Sequence, residues 1–450
     1  MLWMIVRKEL LANILSLRFL LILLLCCTLI LVSAYTMRGK YEKRVQEYSA
    51  AIKTHRQELA ERDGKRGNPN TYRLDKPLVP LSVFVEGMEG SGGRFATVGI
   101  LSTPKLEGIS GSDPGLAYFG TLDMLFIVRV VLSLVAILLT YDSLSGEREQ
   151  GTLKLIFANS VPRASILVAK CIGGYITLLL PFLIPMLIAL LILISSSSLS
   201  FSSEDWARLG LIFLVSLLYI GFFLMLGLLV SSRSNRSNSA LMMLLFLWVV
   251  FVLAIPKVST IVADKLSNIP SIQTIQAEKD AVAGQMWSEY RQWGERFRQE
   301  HKEMSPEHRR EMVRMQGETG LAISERRWQI QAEYDKQKTA QYQLAAHIAR
   351  ISPASVLCYA AIGLAGTGFE RQEAFLAAAR SYQIGVASYY YDAFHKQQHF
   401  ELARLPIFEF HEASFSESWS MVWADMLTLL LLVLCFFMLT YISFLRRDVR

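Results

Sequence analysis

At 450 residues, with 52% hydrophobic and 19% charged side chains, the chain holds more apolar material than one soluble core consumes. This points away from a wholly soluble protein and toward several membrane spans. The formal charge of +7 resides in short loops rather than on one basic face, which excludes nucleic acid as a partner.

A bilayer-spanning helix needs about 20 apolar residues. Six stretches qualify, at 17–36, 121–141, 166–195, 208–230, 239–256 and 420–445. Ahead of the first lies the amphipathic "MLWMIVRKELLANILSL". Val32-Ser33-Ala34 has the small residues of a signal-peptidase site, yet the preceding segment is far longer than a signal n-region, and Leu25 before Cys26 argues against a lipoprotein signal. The stretch reads as a retained span.

Lys and Arg in short loops resist translocation. Arg7, Lys8, Arg18, Arg148, Lys154, Arg163, Lys170, Arg233, Arg236, Arg446, Arg447 and Arg450 fall on one side when the N-terminus is inside, while the short hairpin with Glu204, Asp205 and Arg208 falls on the other. Both termini are therefore expected in the cytoplasm, with 142–165 a cytoplasmic loop and 37–120 and 257–419 external. In the first external region "YEKRVQEYSAAIKTHRQELAERD" continues span one as a polar helix until "GKRGNPN" breaks it, and "LSVFVEG" and "RFATVGI" alternate like paired strands around the loop "MEGSGG".

In the second external region Ile275, Val282, Met286, Tyr290, Trp293 and Phe297 recur at helical spacing. Ser305-Pro306 reads as a cap and first turn of a second long helix toward Arg350, with Gly317 and Gly320 expected to interrupt it. His395 and His399 sit one turn apart near Glu401, a weak metal candidate against the plainer reading of a solvated face. Cys26, Cys27, Cys171 and Cys435 lie in spans and Cys358 faces outside, so no disulfide framework is expected.

The cytoplasmic loop "YDSLSGEREQGTLKLIFANSVPRASILVAK" carries the remaining signal. Gly146 and Gly151 have the spacing of a phosphate loop, but Thr152 and Leu153 stand where Lys and Ser or Thr must meet phosphate and magnesium. Glu147, Arg148, Glu149 and Lys154 give a short helix exposed charge of mixed sign, with Leu153, Leu155, Ile156 and Phe157 as its apolar side. Such a helix docks in a groove of a cytosolic partner and transmits its movement; the alternative is a plain connector. Within the spans Arg129 is a charge at depth that needs a partner, for which Asp123 and Asp425 are the available carboxylates; the alternative places Arg129 on a central path.

"FGTLDMLFIV", the E-R-E-x-G-T-L core with its following P-R and Lys, and "GLLVSSRSNRSNSALMMLLFLWVV" together resemble the permease subunit of an ABC-2-type transporter, in the bacterial branch with gliding-motility and nitrous-oxide-reductase-maturation permeases. The resemblance implies that 142–165 holds a coupling segment, with Glu147, Arg148, Glu149, Gly151, Thr152, Leu153 and Lys154 contacting a separate cytosolic ATPase. It also implies that 1–16 is an amphipathic elbow helix on membrane lipid. The expectation is a mainly α, six-span inner-membrane protein with two external domains, the first α+β and the second largely helical. It binds no cofactor itself, ATP and Mg belonging to the partner, and it pairs with a second permease copy or paralogue. It either exports a substrate or acts mechanically on a periplasmic protein or the cell wall.

Overall fold

The computed structural model describes residues 2–63, 72–90, 93–99, 102–107, 122–152, 162–303, 305–395 and 408–446. Helix α1 (Leu2–Ile14) turns at Ser16, whose hydroxyl accepts the Phe19 N–H at 3.2 Å, into α2 (Leu17–Asp63). The 47 residues of α2 form one helix about 70 Å long, so the apolar span passes into its polar extension without a break.

A three-stranded antiparallel sheet follows, with β1 (Tyr72–Asp75), β2 (Phe95–Gly99) and β3 (Ser102–Glu107) in that order and Leu74 opposite Ala96. Alternation turns Leu74, Ala96 and Val98 to one face, where they pack on Phe375 and Ala379 of α11 (Phe369–His395). The partners of "RFATVGI" are thus "YRLD" and "STPKLE" rather than "LSVFVEG". Residues 80–90 form two 3-10 turns, Pro80–Val83 and Gly87–Gly90, because Pro80 lacks a ladder N–H and Leu81, Val83, Phe84 and Val85 are all buried instead of alternating. Gly87 has φ +51°, and a Cβ there would meet Thr367 Oγ1 at 2.5 Å.

Six helices are long and apolar enough to cross a membrane. They are α2, the segment Met124–Glu149 made of α3 (residues 124–140) and the short α4 (Ser145–Glu149), α5 (Arg163–Ile194), α6 (Ser203–Arg233), α7 (Ser237–Leu266) and α12 (Phe415–Arg446). Helix α6 is the hub. It starts at a capping box between Ser202 and Asp205, and it is buried continuously from Tyr219 to Ser232 against α3, α5 and α12. Gly227 lets α3 approach, since a Cβ there would overlap the Thr140 side chain.

Beyond α7 two long arms stand out, α8 (Ile272–Glu300, 29 residues) and α9 (Pro306–Ala349, 44 residues). Ser271 and Ser305 cap them by accepting the Thr274 and His308 N–H groups. Gly317 and Gly320 do not interrupt α9. A glycine costs a helix only about 1 kcal/mol, and packing against α8 and the end of α7 offsets that. The arm then re-enters the bundle: α10 (Pro353–Ala365) is an apolar helix buried among α6, α12 and parts of α3 and α7. Cys358 is therefore packed against span two and does not face outward.

Candidate coupling site and the charges of the span bundle

The loop after α3 is set by two backbone N–H groups with one acceptor. Leu144 and Ser145 both donate to the buried Ser231 hydroxyl of α6, at 3.0 and 3.1 Å, and α4 starts there. Its charges then close the ends of other helices. Arg148 donates from Nη1 to the Ser234 carbonyl at 2.6 Å and from Nη2 to that of Ser232 at 3.3 Å, carbonyls that the end of α6 leaves without intrahelical donors. Glu149 accepts the Ser237 N–H at 3.0 Å and its hydroxyl at 2.9 Å, placing an anion at the positive N-terminus of α7.

Glu147 turns inward. Its Oε1 accepts from Lys170 Nζ at 2.8 Å, and the same ammonium reaches Glu9 of α1 at 3.2 Å. The Lys170 side chain is only 3% exposed, and the second Glu147 oxygen is buried with no hydrogen-bond partner among the described residues. The Thr152 hydroxyl donates to the Glu147 carbonyl at 3.1 Å. Close contact of α1 with α5 is possible because Gly173 leaves room for Glu9, whose Cβ would lie 3.1 Å from an added one.

The exposed mixed-sign charge expected for this segment is thus corrected. Glu147 and Arg148 are engaged inside the chain, and Glu149, though solvent-exposed, caps α7. Beside Glu149, Gln150 and Gly151 face outward, the latter at φ +72° with open space around its Cα. Leu153 and Lys154, with Leu155, Ile156 and Phe157, lie outside the described residues.

At the other end of the bundle, Arg129 sits in a π turn, Ile127–Leu132. Such a turn disturbs the carbonyl ladder, and in a bilayer each freed carbonyl needs a protein donor. The Arg129 carbonyl receives two, the buried Tyr219 hydroxyl at 2.7 Å and the Ser133 hydroxyl at 2.6 Å, while Trp248 Nε1 donates to Ser133 at 2.8 Å. A second π turn, Val249–Ala254 in α7, offers its Phe251 carbonyl to the Ser352 hydroxyl at the head of α10.

Neither expected carboxylate pairs with the Arg129 guanidinium. Its Nη1 lies 3.6 Å from Cys358 Sγ, and its Nε has no hydrogen-bond partner among the described residues. Asp123 is used as the cap of its own helix, accepting the Phe126 N–H at 2.8 Å and the Glu86 N–H at 3.1 Å. Asp425 is held instead by Arg350 at the foot of arm α9, through a fork of 2.6 and 3.1 Å. His395 is the last residue of α11, and His399 lies outside the described residues.

Residues 3–449 match the ABC-2 family transporter protein family. The chain belongs to that family. Over 127 residues this ABC-2 family member is 33% identical to the probable ABC transporter permease protein NosY of Stutzerimonas stutzeri and 34% identical to that of Pseudomonas aeruginosa. Each alignment covers 27% of the chain and 45% of the relative, so the chain spans about half the length of the curated relatives it matches. Membership and six apolar helices make it a multi-pass membrane protein.

Sequence reasoning placed Lys170 only among the cytoplasmic basic residues and Arg350 only at the end of an arm, without their partners, and it missed Glu9, Ser231 and Tyr219. A lysine within an otherwise apolar span was the available signal for Lys170. Nothing local marked the others, whose roles depend on partners far along the chain.

Proposed function

We propose that this chain is the permease subunit of an ABC transporter, that a separate cytosolic ATPase supplying ATP and Mg²⁺ chemistry docks on the segment after α4, and that two permease chains assemble in the bacterial inner membrane with their termini in the cytoplasm. One observation carries this reading. The short charged helix α4 is tied at once to α1, α5, α6 and α7, so a push on residues 150–161 reaches four helices together. Glu147, Arg148, Glu149 and Thr152 then hold the segment in shape, while Gln150, Gly151 and the residues from Leu153 and Lys154 onward meet the partner.

A photo-crosslinking residue at Gln150 tests this in native membranes: the expected adduct is a cytosolic protein with a phosphate-binding loop, identified by mass spectrometry. Adducts lacking any ATPase would refute the docking site. For orientation, Ser234→Cys should react with an impermeant thiol reagent only after permeabilisation, and labelling of intact spheroplasts would invert the topology.

A second reading has its own support. Arm α9 is about 66 Å long by its 44 residues and its foot is clamped to span six by Arg350 and Asp425, as a lever would be. In this mechanical reading nothing crosses, and the arms act on a periplasmic protein or the cell wall. In the transport reading Arg129 meets an anionic part of the cargo. ATP-dependent uptake of cargo into sealed inverted vesicles separates the two.

A further inference from the structure

The two arms meet at a tip that the permease function leaves unused. Along α8 the rings of Trp287, Tyr290, Trp293 and Phe297 follow one another with centroids 5.7, 6.0 and 5.0 Å apart, and the series ends in two imidazoles. His301 closes α8, His308 lies in the first turn of α9, and their ring centroids are 4.1 Å apart.

The hydrogen bonds fix the chemistry of this pair. His301 Nδ1 faces the Phe297 carbonyl at 3.1 Å and His308 Nδ1 faces the Glu303 carbonyl at 3.3 Å. A carbonyl only accepts, so both Nδ1 atoms are the donors, and in the neutral ring this leaves the lone pair on Nε2. A backbone carbonyl holding one ring nitrogen is the arrangement that orients metal-ligating histidines and raises their basicity. Packing supports the orientation as well, since Phe297 lies 4.5 Å from the His301 ring and 5.8 Å from that of His308.

We propose that His301 and His308 form a two-histidine site for an imidazole-preferring divalent transition ion, which clasps the ends of arms α8 and α9. An ion of this kind sits about 2.0–2.1 Å from each nitrogen. At a near-tetrahedral angle that places ring centres about 5 Å apart, so binding spreads the pair by about 1 Å. No group of three or more His, Cys, Asp or Glu is gathered for a metal among the described residues, so water or a carboxylate from the exposed Glu300, Glu303 or Glu307 completes the shell. Imidazole ligands select zinc, copper and nickel over magnesium and calcium.

The test uses the full-length protein in detergent, free of any histidine tag, titrated calorimetrically with Zn²⁺. One saturable site per chain is expected. Its affinity should fall at least about tenfold in His301→Ala and in His308→Ala, and stay unchanged in the His395→Ala/His399→Ala double variant. Zn²⁺ should also slow amide exchange around Phe297 and Arg309 in the wild type and not in the His301→Ala/His308→Ala variant, with far-ultraviolet circular dichroism confirming that the variant keeps its helices. No saturable binding by the wild type, or equal binding by His301→Ala/His308→Ala, would overturn the site, and either result leaves the permease reading untouched.

Discussion

The two ends of the span bundle solve the same problem, charge inside a membrane protein, in opposite ways. At the α4 end, charges within three consecutive residues are distributed to helix termini and to one buried lysine, so nearly every charge has a backbone or ionic partner within one compact cluster. At the arm end the ion pair joins residues 75 apart in sequence, and Arg129 faces a thiol instead of a carboxylate. The first arrangement is rigid, because moving α4 breaks several helix caps together. The second is a joint in which one ion pair fastens the foot of the arm beside its packing on α8 and the end of α7.

Removing the centre of the first cluster should have the largest effect. Lys170→Met leaves Glu147 and Glu9 facing each other without their cation, and breaking such a buried pair costs roughly 3–5 kcal/mol. The expected outcome is loss of folded protein in detergent, read by size-exclusion and thermal unfolding, with Lys170→Arg retaining part of it. For the same reason Glu147→Lys with Glu149→Lys should damage folding itself and not merely partner docking; a well-folded double variant would show that the cluster is not rigid.

The joint should yield less. Arg350→Ala and Asp425→Ala in a double-mutant cycle should show a coupling of about 1–3 kcal/mol. The exchanged pair Arg350→Asp/Asp425→Arg should recover part of the loss. A coupling near zero would mean that α10 packing alone seats the arm.

Within the cluster, Glu149→Ala removes only the cap of α7, and a lost cap costs about 1 kcal/mol. The unfolding midpoint should fall modestly, well short of the Lys170→Met effect. Equal losses would show that Lys170 is no more central than any cap.

The arms give the smallest effect, through pH. Burial raises the Asp335 carboxyl above its ordinary value, against the Gln331 amide and the charges of Lys279 and Lys338, and burial raises that of Glu373 likewise. A carboxyl raised on folding binds its proton more tightly in the folded state. Its stability contribution is therefore present below the ordinary carboxylate value and is lost as pH rises through the raised one. Asp335→Asn should lack that loss, so its midpoint should gain on the wild type as pH rises from about 4. A constant difference across the titration would contradict the assignment.

Much of this was legible in local sequence. The six spans follow from runs of apolar side chains, and the start of the second arm from Ser305-Pro306, because hydrophobic transfer and helix capping act over neighbouring residues. The segment around Glu147, Arg148 and Glu149 was recognisable as one unit for the same reason. Its exposure was misread because pattern shows which residues are charged and not what stands opposite them. Lys170, Ser231 and Ser237 come from three other helices. Likewise "LSVFVEG" has the composition of a strand, but a strand needs an edge to pair with, and β1 occupied that of β2.

By itself, then, the sequence determined the number of the membrane helices, the cap of the second arm and the presence of a charged segment between spans. All of these rest on interactions within a few residues along the chain. Only the tertiary structure decided that Asp425 belongs to Arg350, that α10 folds back into the bundle beside two π turns, and that His301 meets His308 across the arm tip. Those pairings depend on which helix faces lie together, a choice made by burial and by the need to satisfy every carbonyl in the apolar interior.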